Sequence, residues 1–291
     1  MAAFAALLGC TDPAQIAPRM EERRFLLGAF LGDQDLPARH AEFTRLTGSR
    51  PAMLLTFVPW QRGGGPSFPA GFCRFARDYG ATPLITWEPW DPKSQWYPML
   101  RAIAAGHEDT RVRDWATSAR QWRFSVLLRF AHEMNGDWYP WCERKDPRQA
   151  ARHYVAAYRH IWEVFREAGA SNVQWVWAPN FEPTDRLDRY YPGNDCVDYI
   201  GIDFYNQPRW PRDPADMLGP LLEFAGEKGK PVILTEVGSA EAFATSRSSV
   251  GNAEWADKAH WIDRLFEVVA ARPDIRGLAW FDVWKEADWR I

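Results

Sequence analysis

Apolar residues gather along the chain into short, nearly continuous runs, separated by longer stretches in which apolar positions recur at helical spacing. The runs are RFLLGAFLG (24–32), AMLLTFV (52–58), TPLITWEPW (82–90), FSVLLRFAHE (124–133), VQWVWAPN (173–180), VDYIGIDFYN (197–206), PVILTEVG (231–238) and IRGLAWFDVW (275–284). Between them lie helix-like segments such as LPARHAEFTRLTG (36–48), PAGFCRFARDYG (69–80), TRVRDWATSARQW (110–122) and DPRQAARHYVAAYRHIWEVFREAG (146–169). A strand that alternates polar with apolar has one wet face, whereas a run that is apolar throughout is covered on both. The pattern therefore predicts eight buried parallel strands in βα units, which close into a single-domain (β/α)8 TIM barrel. A doubly wound open sheet is the structural alternative, and the chain lacks the glycine-rich phosphate loop that would follow its first strand. Only KEADWRI (285–291) follows the eighth run. The eighth helix is expected to be short or missing and the barrel imperfectly closed.

Chemistry in such barrels stands at the C-terminal ends of the strands. Those ends carry Trp87, Glu88 and Trp90 on the third run, Arg129, His132 and Glu133 on the fourth, and Trp177 and Asn180 on the fifth. Asp203, Tyr205 and Asn206 end the sixth, Glu236 the seventh, and Trp280, Asp282 and Trp284 the eighth; Asn135, Trp138, Tyr139 and Trp141 lie just beyond the fourth. A carboxylate is rarely buried without a partner or a task, so Glu133 and Glu236 on otherwise apolar strands stand out. The structural reading makes them salt-bridged rim residues. The functional reading sets two carboxylates from opposite sides of a barrel on one bond, as glycoside hydrolysis requires: one protonates the leaving oxygen while the other attacks the anomeric carbon. Phe130, Ala131 and Trp138 would desolvate Glu133 and keep it protonated, while Tyr205 and Arg129 would hold Glu236 ionised.

Composition narrows the field. The 291 residues suit one barrel, and 35 basic against 38 acidic side chains give a net charge of −3, which favours neither nucleic acid nor an anionic membrane as partner. Seventeen tryptophans provide core and, at the rim, flat surfaces on which sugars stack. The four cysteines form no CxxC pair and no histidine stands at ligand spacing, so no metal and no cofactor is expected. A barrel handling phosphorylated substrates would need a phosphate loop or basic strand ends, and neither is present. No apolar stretch reaches the roughly 18 residues of a membrane-spanning helix. The opening MAAFAALLGC ends in the Leu-Leu-Gly-Cys of a bacterial lipoprotein cleavage box but lacks a basic beginning. Residues 1–23 thus read as the remnant of such a signal or as a frayed N-terminal segment, and 24–291 as the catalytic barrel.

The stretch RFAHEMNGDWYPW, followed in order by WVWAPN, GIDFYN, PVILTEVGS and WFD, resembles glycoside hydrolase family 26 across roughly residues 24–290. The resemblance implies a retaining barrel with Glu133 as general acid/base and Glu236 as nucleophile. It implies that His132, Trp138 and Tyr205 line the subsite of the cleaved sugar, with Tyr205 orienting the nucleophile, and that Arg129 and Asp203 support them. Trp87, Trp177, Asn180 and Trp280, with Trp284, are expected as sugar-stacking or hydrogen-bonding walls on the strength of their strand-end positions. The substrate it implies is a β-glycan, with endo-β-1,4-mannanase ranked first. Trp138-Tyr139-Pro140-Trp141-Cys142 departs from the family's mannan-type run and TWEPW resembles glucan-directed members, which keeps a mixed-linkage β-glucanase close behind and a xylanase third. A non-catalytic polysaccharide-binding barrel is the reading from another class. Polymer cleavage further implies a secreted or lipid-anchored protein, attached through Cys10, and a monomer.

Overall fold

The computed structural model describes residues 25–61, 67–93, 100–142, 147–207, 210–240, 253–285 and 287–291. The chain from residue 25 onward runs β1 (Leu26–Phe30), α1 (Leu36–Thr47), β2 (Met53–Pro59), α2 (Ala70–Asp78), β3 (Thr82–Glu88), α3 (Leu100–Ala104), α4 (Asp109–Trp122) and β4 (Val126–Phe130). It continues through α5 (Pro147–Glu167), β5 (Val173–Trp177), α6 (Leu187–Tyr190), β6 (Tyr199–Asn206), α7 (Pro214–Lys228), β7 (Val232–Ser239), α8 (Lys258–Ala270) and β8 (Ile275–Phe281). Each strand coincides with one of the eight apolar runs, β2 and β7 extending one residue past theirs. The segment 1–24, with Cys10, lies outside the described residues.

The strands pair in sequence order as a closed parallel barrel. Closure comes from β1 against β8, parallel over the five pairs from Leu26↔Gly277 to Phe30↔Phe281. Imperfect closure, expected from the short C-terminal remnant, is therefore incorrect: the backbone hydrogen bonds of two strands seal a barrel, and helices only cover it. As expected, no helix follows β8 among the described residues. The end of the chain folds back instead, with an isolated bridge Trp284↔Asp288 and the Ile291 N–H donating to Asp282 Oδ1 at 2.9 Å. This turn buries Trp289 completely, and its ring packs 4.9 Å from that of Tyr205.

Alternation along each strand divides the core in two. Leu26, Phe30, Met53, Leu55, Leu84, Leu127, Val176, Tyr199, Ile233, Ala279 and Phe281 fill the barrel interior. Their neighbours, among them Leu54, Ile85, Leu128, Phe130, Ile200 and Leu278, pack outward against the helices. The upper interior positions are polar: Thr86, Arg129, Asp203 and Thr235 are each fully buried.

Candidate active site

Arg129 is the hub of the interior. Its Nη1 donates to both oxygens of Asp203 at 2.6 Å, its Nε and Nη2 to Thr86 Oγ1 at 2.9 and 2.6 Å, and its Nη2 to Glu236 Oε1. Thr235 Oγ1 also donates to Asp203 Oδ1, at 2.5 Å. Burial alone would lower the guanidinium pKa, but the Asp203 and Glu236 carboxylates outweigh it and raise the pKa, so Arg129 stays charged. A buried ion pair adds little net stability, yet removing one partner is costly. Arg129→Leu would strand two carboxylates in the interior, and we expect a loss of about 3–5 kcal/mol in urea unfolding. An unchanged midpoint would contradict this network.

Past β4 the chain turns sharply, with Ala131 (φ 45°) and Glu133 (φ 52°) both left-handed. Such backbone in non-glycine residues costs on the order of 1–3 kcal/mol each and persists where the surroundings impose it. Here the Glu133 N–H donates to Ala178 O at 2.8 Å, tying the turn to β5. The Glu133 carboxyl, 7% exposed, accepts hydrogen bonds from Trp138 Nε1 at 2.6 Å and Asn180 Nδ2 at 2.7 Å. Asn180 is fixed in turn by Asn135, whose Oδ1 accepts from the Asn180 N–H at 2.9 Å and whose Nδ2 donates to Asn180 O at 2.8 Å. Gly136 is required nearby, because a Cβ there would lie 2.5 Å from the Trp138 ring. Burial, reinforced by the charge of Glu236 and opposed by its two donors, pushes the Glu133 pKa up to about 7.

Glu236 reaches the same space through an irregularity. Ile202 pairs with Leu234 but Asp203 with Glu236, so Thr235 is the extra residue of a bulge, and β8 shows the matching shift between Leu234 and Val237. The bulge lets Thr235 and Glu236 both point inward. Glu236, 5% exposed, is held on one oxygen by Arg129 and on the other by the Tyr205 hydroxyl, which donates at 2.5 Å. Gly238 leaves room for that tyrosine, since a Cβ would come within 2.9 Å of its ring.

His132 Nε2 stands 3.8 Å from Glu236 Oε1 and 3.1 Å from the Tyr139 hydroxyl. Burial and the charge of Arg129 lower its pKa well below the usual range, so the ring is neutral. His132, Asp203 and Glu236 offer ligand atoms within 4.8 Å of one another. The Arg129 guanidinium bonded to both carboxylates supplies their positive charge, which makes this a poor cation site.

The structure thus gathers Glu133, Glu236, Arg129, His132, Trp138, Asn180 and Tyr205 around one opening, with Trp138 47% exposed at its rim. Trp87, Trp177 and Trp280 are elsewhere, and the expectation that they form sugar-stacking walls is corrected. All three are fully buried between barrel and helices: Trp87 stacks on Trp115 at 4.3 Å, Trp177 donates to Tyr190 O at 3.1 Å, and Trp280 donates to Trp289 O at 2.8 Å. Their neighbours Thr86, Val176 and Ala279 face the interior, so strand alternation turns each tryptophan outward. Trp284 is exposed beyond β8. Two groups noted at or just beyond the strand ends were given no role in the site. Tyr139 stacks on Trp141 at 4.3 Å and joins His132 in an aromatic wall, and Glu88 adds a further buried carboxyl group, beside Glu133, Asp203 and Glu236, at the interior face of β3.

A closed barrel that turns two differently held carboxyl groups into one opening has the architecture of a glycoside hydrolase. The chain belongs to glycosyl hydrolase family 26, whose family model matches residues 105–286. Over 277 residues, 91% of its length, it is 29% identical to a protein named Endoglucanase H from Acetivibrio thermocellus, and it spans 28% of that protein. It is 26% identical to a mannan endo-1,4-beta-mannosidase of Bacillus subtilis, over 65% of this chain and 61% of that one. The chain thus covers less than two thirds of either relative. Among solved structures, a modular endo-beta-1,4-mannanase from Cellulomonas fimi superposes with a TM-score of 0.63 at 20% identity, covering 94% of this chain and 68% of the other. A family 26 beta-mannanase from Bacteroides ovatus gives 0.62 at 18% identity, covering 90% and 82%. These two likenesses concern the fold.

Proposed function

We propose that the barrel is a retaining endo-β-1,4-glycanase acting on mannan, with Glu133 as general acid/base and Glu236 as nucleophile. The observation that carries this reading is the contrast between the two carboxyl groups. Glu133 is desolvated and titrates near pH 7. Glu236 is instead clamped by a guanidinium on one oxygen and by a phenol hydroxyl on the other. In the first step a Glu236 oxygen bonds to the anomeric carbon, the glycosidic C–O bond breaks, and the Glu133 proton passes to the leaving oxygen. In the second, water attacks that carbon, surrenders a proton to Glu133, and the bond to Glu236 breaks. Two inversions return the original configuration. Arg129 and Tyr205 fix the nucleophile, neutral His132 packs against it, and Trp138 and Asn180 hold the acid.

Mannan is supported by the Bacillus subtilis relative's name. A mixed-linkage β-glucan is the second reading, favoured by the Acetivibrio thermocellus relative, which matches more of the chain. Reducing-sugar release from galactomannan, glucomannan, barley β-glucan and xylan decides between them. Silence on all four polymers, with binding to one, would overturn the enzyme in favour of a binding barrel. Because the acid works protonated, kcat/KM is expected to fall about tenfold per pH unit above pH 7. A pH–rate profile checks this; a rate that is flat through pH 8–9 would contradict the assignment of Glu133. We further propose, from the polymeric substrate, that the protein acts outside the cell with Cys10 as lipid attachment point; palmitate labelling in a bacterial host, with any native upstream sequence included, tests that anchor.

A further inference from the structure

Glu88 is a buried acid that the two-step reaction does not use. It ends β3 on the interior face, two residues beyond Thr86, which bonds Arg129. Its side chain is 7% exposed. Among the described residues no group makes a well-formed hydrogen bond to its carboxyl. The Trp90 indole acts on it as a donor, yet its Nε1 has no full hydrogen-bond partner. A carboxyl group this desolvated is costly to leave without a full partner, and a ligand hydroxyl entering the opening would supply one. Thr86, on the same face, bonds Arg129, which in turn bonds Glu236, so Glu88 ends the strand that carries the nucleophile's network.

We propose that Glu88 is a substrate-binding residue that hydrogen-bonds a ring or exocyclic hydroxyl of the donor sugar, the one that becomes bonded to Glu236. A carboxyl group at this place accepts from a hydroxyl when ionised and donates one bond when protonated, so it engages sugar in either state. Burial pushes its pKa up to about 7, which leaves both states populated near neutrality. The aromatic wall of Trp90, Tyr139 and Trp141 packs beside it, with Trp90 edge-on to the other two at 5.9 and 6.1 Å. An apolar wall next to one polar group is how a pocket orients a sugar and tells one hydroxyl arrangement from another.

The inference rests on the glycanase reading, and the test separates the two. Aryl β-mannobiosides and β-cellobiosides, intact or deoxygenated at carbon 2, 3 or 6 of the sugar bonded to the aryl group, are assayed with wild type, Glu88→Gln and Glu88→Ala. Glu88→Gln preserves shape and checks folding through an unchanged melting temperature. On the intact donor, Glu88→Ala is expected to lose about 10- to 100-fold in kcat/KM. On the one deoxy donor that lacks the contacted hydroxyl, wild type and Glu88→Ala become equal. A penalty of the same size on every donor means a purely structural role and overturns the proposal, as does a loss below twofold on the intact donor. Failure of the glycanase reading looks different: wild type itself turns over none of the donors.

Discussion

Glu236→Ala hydrolyses polymer at no more than about one ten-thousandth of the wild-type rate, the scale on which enzymes lose turnover with their nucleophile. The effect is this large because no neighbour can replace it. Asp203, the nearest carboxylate, is engaged by Arg129 through both oxygens and by Thr235, while His132 is neutral and packed against Tyr139. The fold should survive, since Arg129 keeps Asp203 as its partner. The cavity left behind admits a small anion. With an activated aryl glycoside and azide, the anion attacks from the side Glu236 occupied, and one inversion yields the α-glycosyl azide. Recovery of the β-azide in this variant would place the nucleophile elsewhere.

Glu133→Ala behaves differently, and the difference identifies the role. Hydrolysis of polymer is expected to fall about 10²- to 10⁴-fold, the usual contribution of a positioned proton donor. A dinitrophenyl glycoside, whose leaving group departs without a proton, retains its first step, so the covalent intermediate accumulates and a burst of dinitrophenol appears. Azide then attacks that intermediate on the face where water would enter, and two inversions give the β-azide. Loss of equal size on both substrates, with no burst, would remove Glu133 from the role of acid. The fall in rate above pH 7 should vanish in this variant.

Much of this was legible because buried parallel strands demand apolar runs, and each run does hold a strand. Strand ends also pointed to Arg129, Glu133 and Tyr205. Reading every strand-end tryptophan as a site residue ignored the period of two. Trp87, Trp177 and Trp280 each follow an interior-facing residue, which already marks them as outward. Glu236 is the reverse case. Strict alternation from Ile233 and Thr235 would turn it away from the interior, and only the bulge, which no spacing in the sequence announces, brings it back. The left-handed turn at Ala131 and Glu133 was equally hidden, since neither residue type advertises positive φ. Trp289 was hidden because its burial depends on a tail that folds under Tyr205 by tertiary contacts alone.

The most direct test of the two-carboxyl account is to trap the covalent intermediate. The protein is incubated with 2-deoxy-2-fluoro β-glycosyl fluorides of the mannobiose and cellobiose series, digested, and mapped by mass spectrometry. One added glycosyl group is expected, on the peptide carrying Glu236, with activity lost in step with labelling and no label in Glu236→Ala. Label on another residue, or unlabelled protein that nevertheless hydrolyses the polymer, would contradict it.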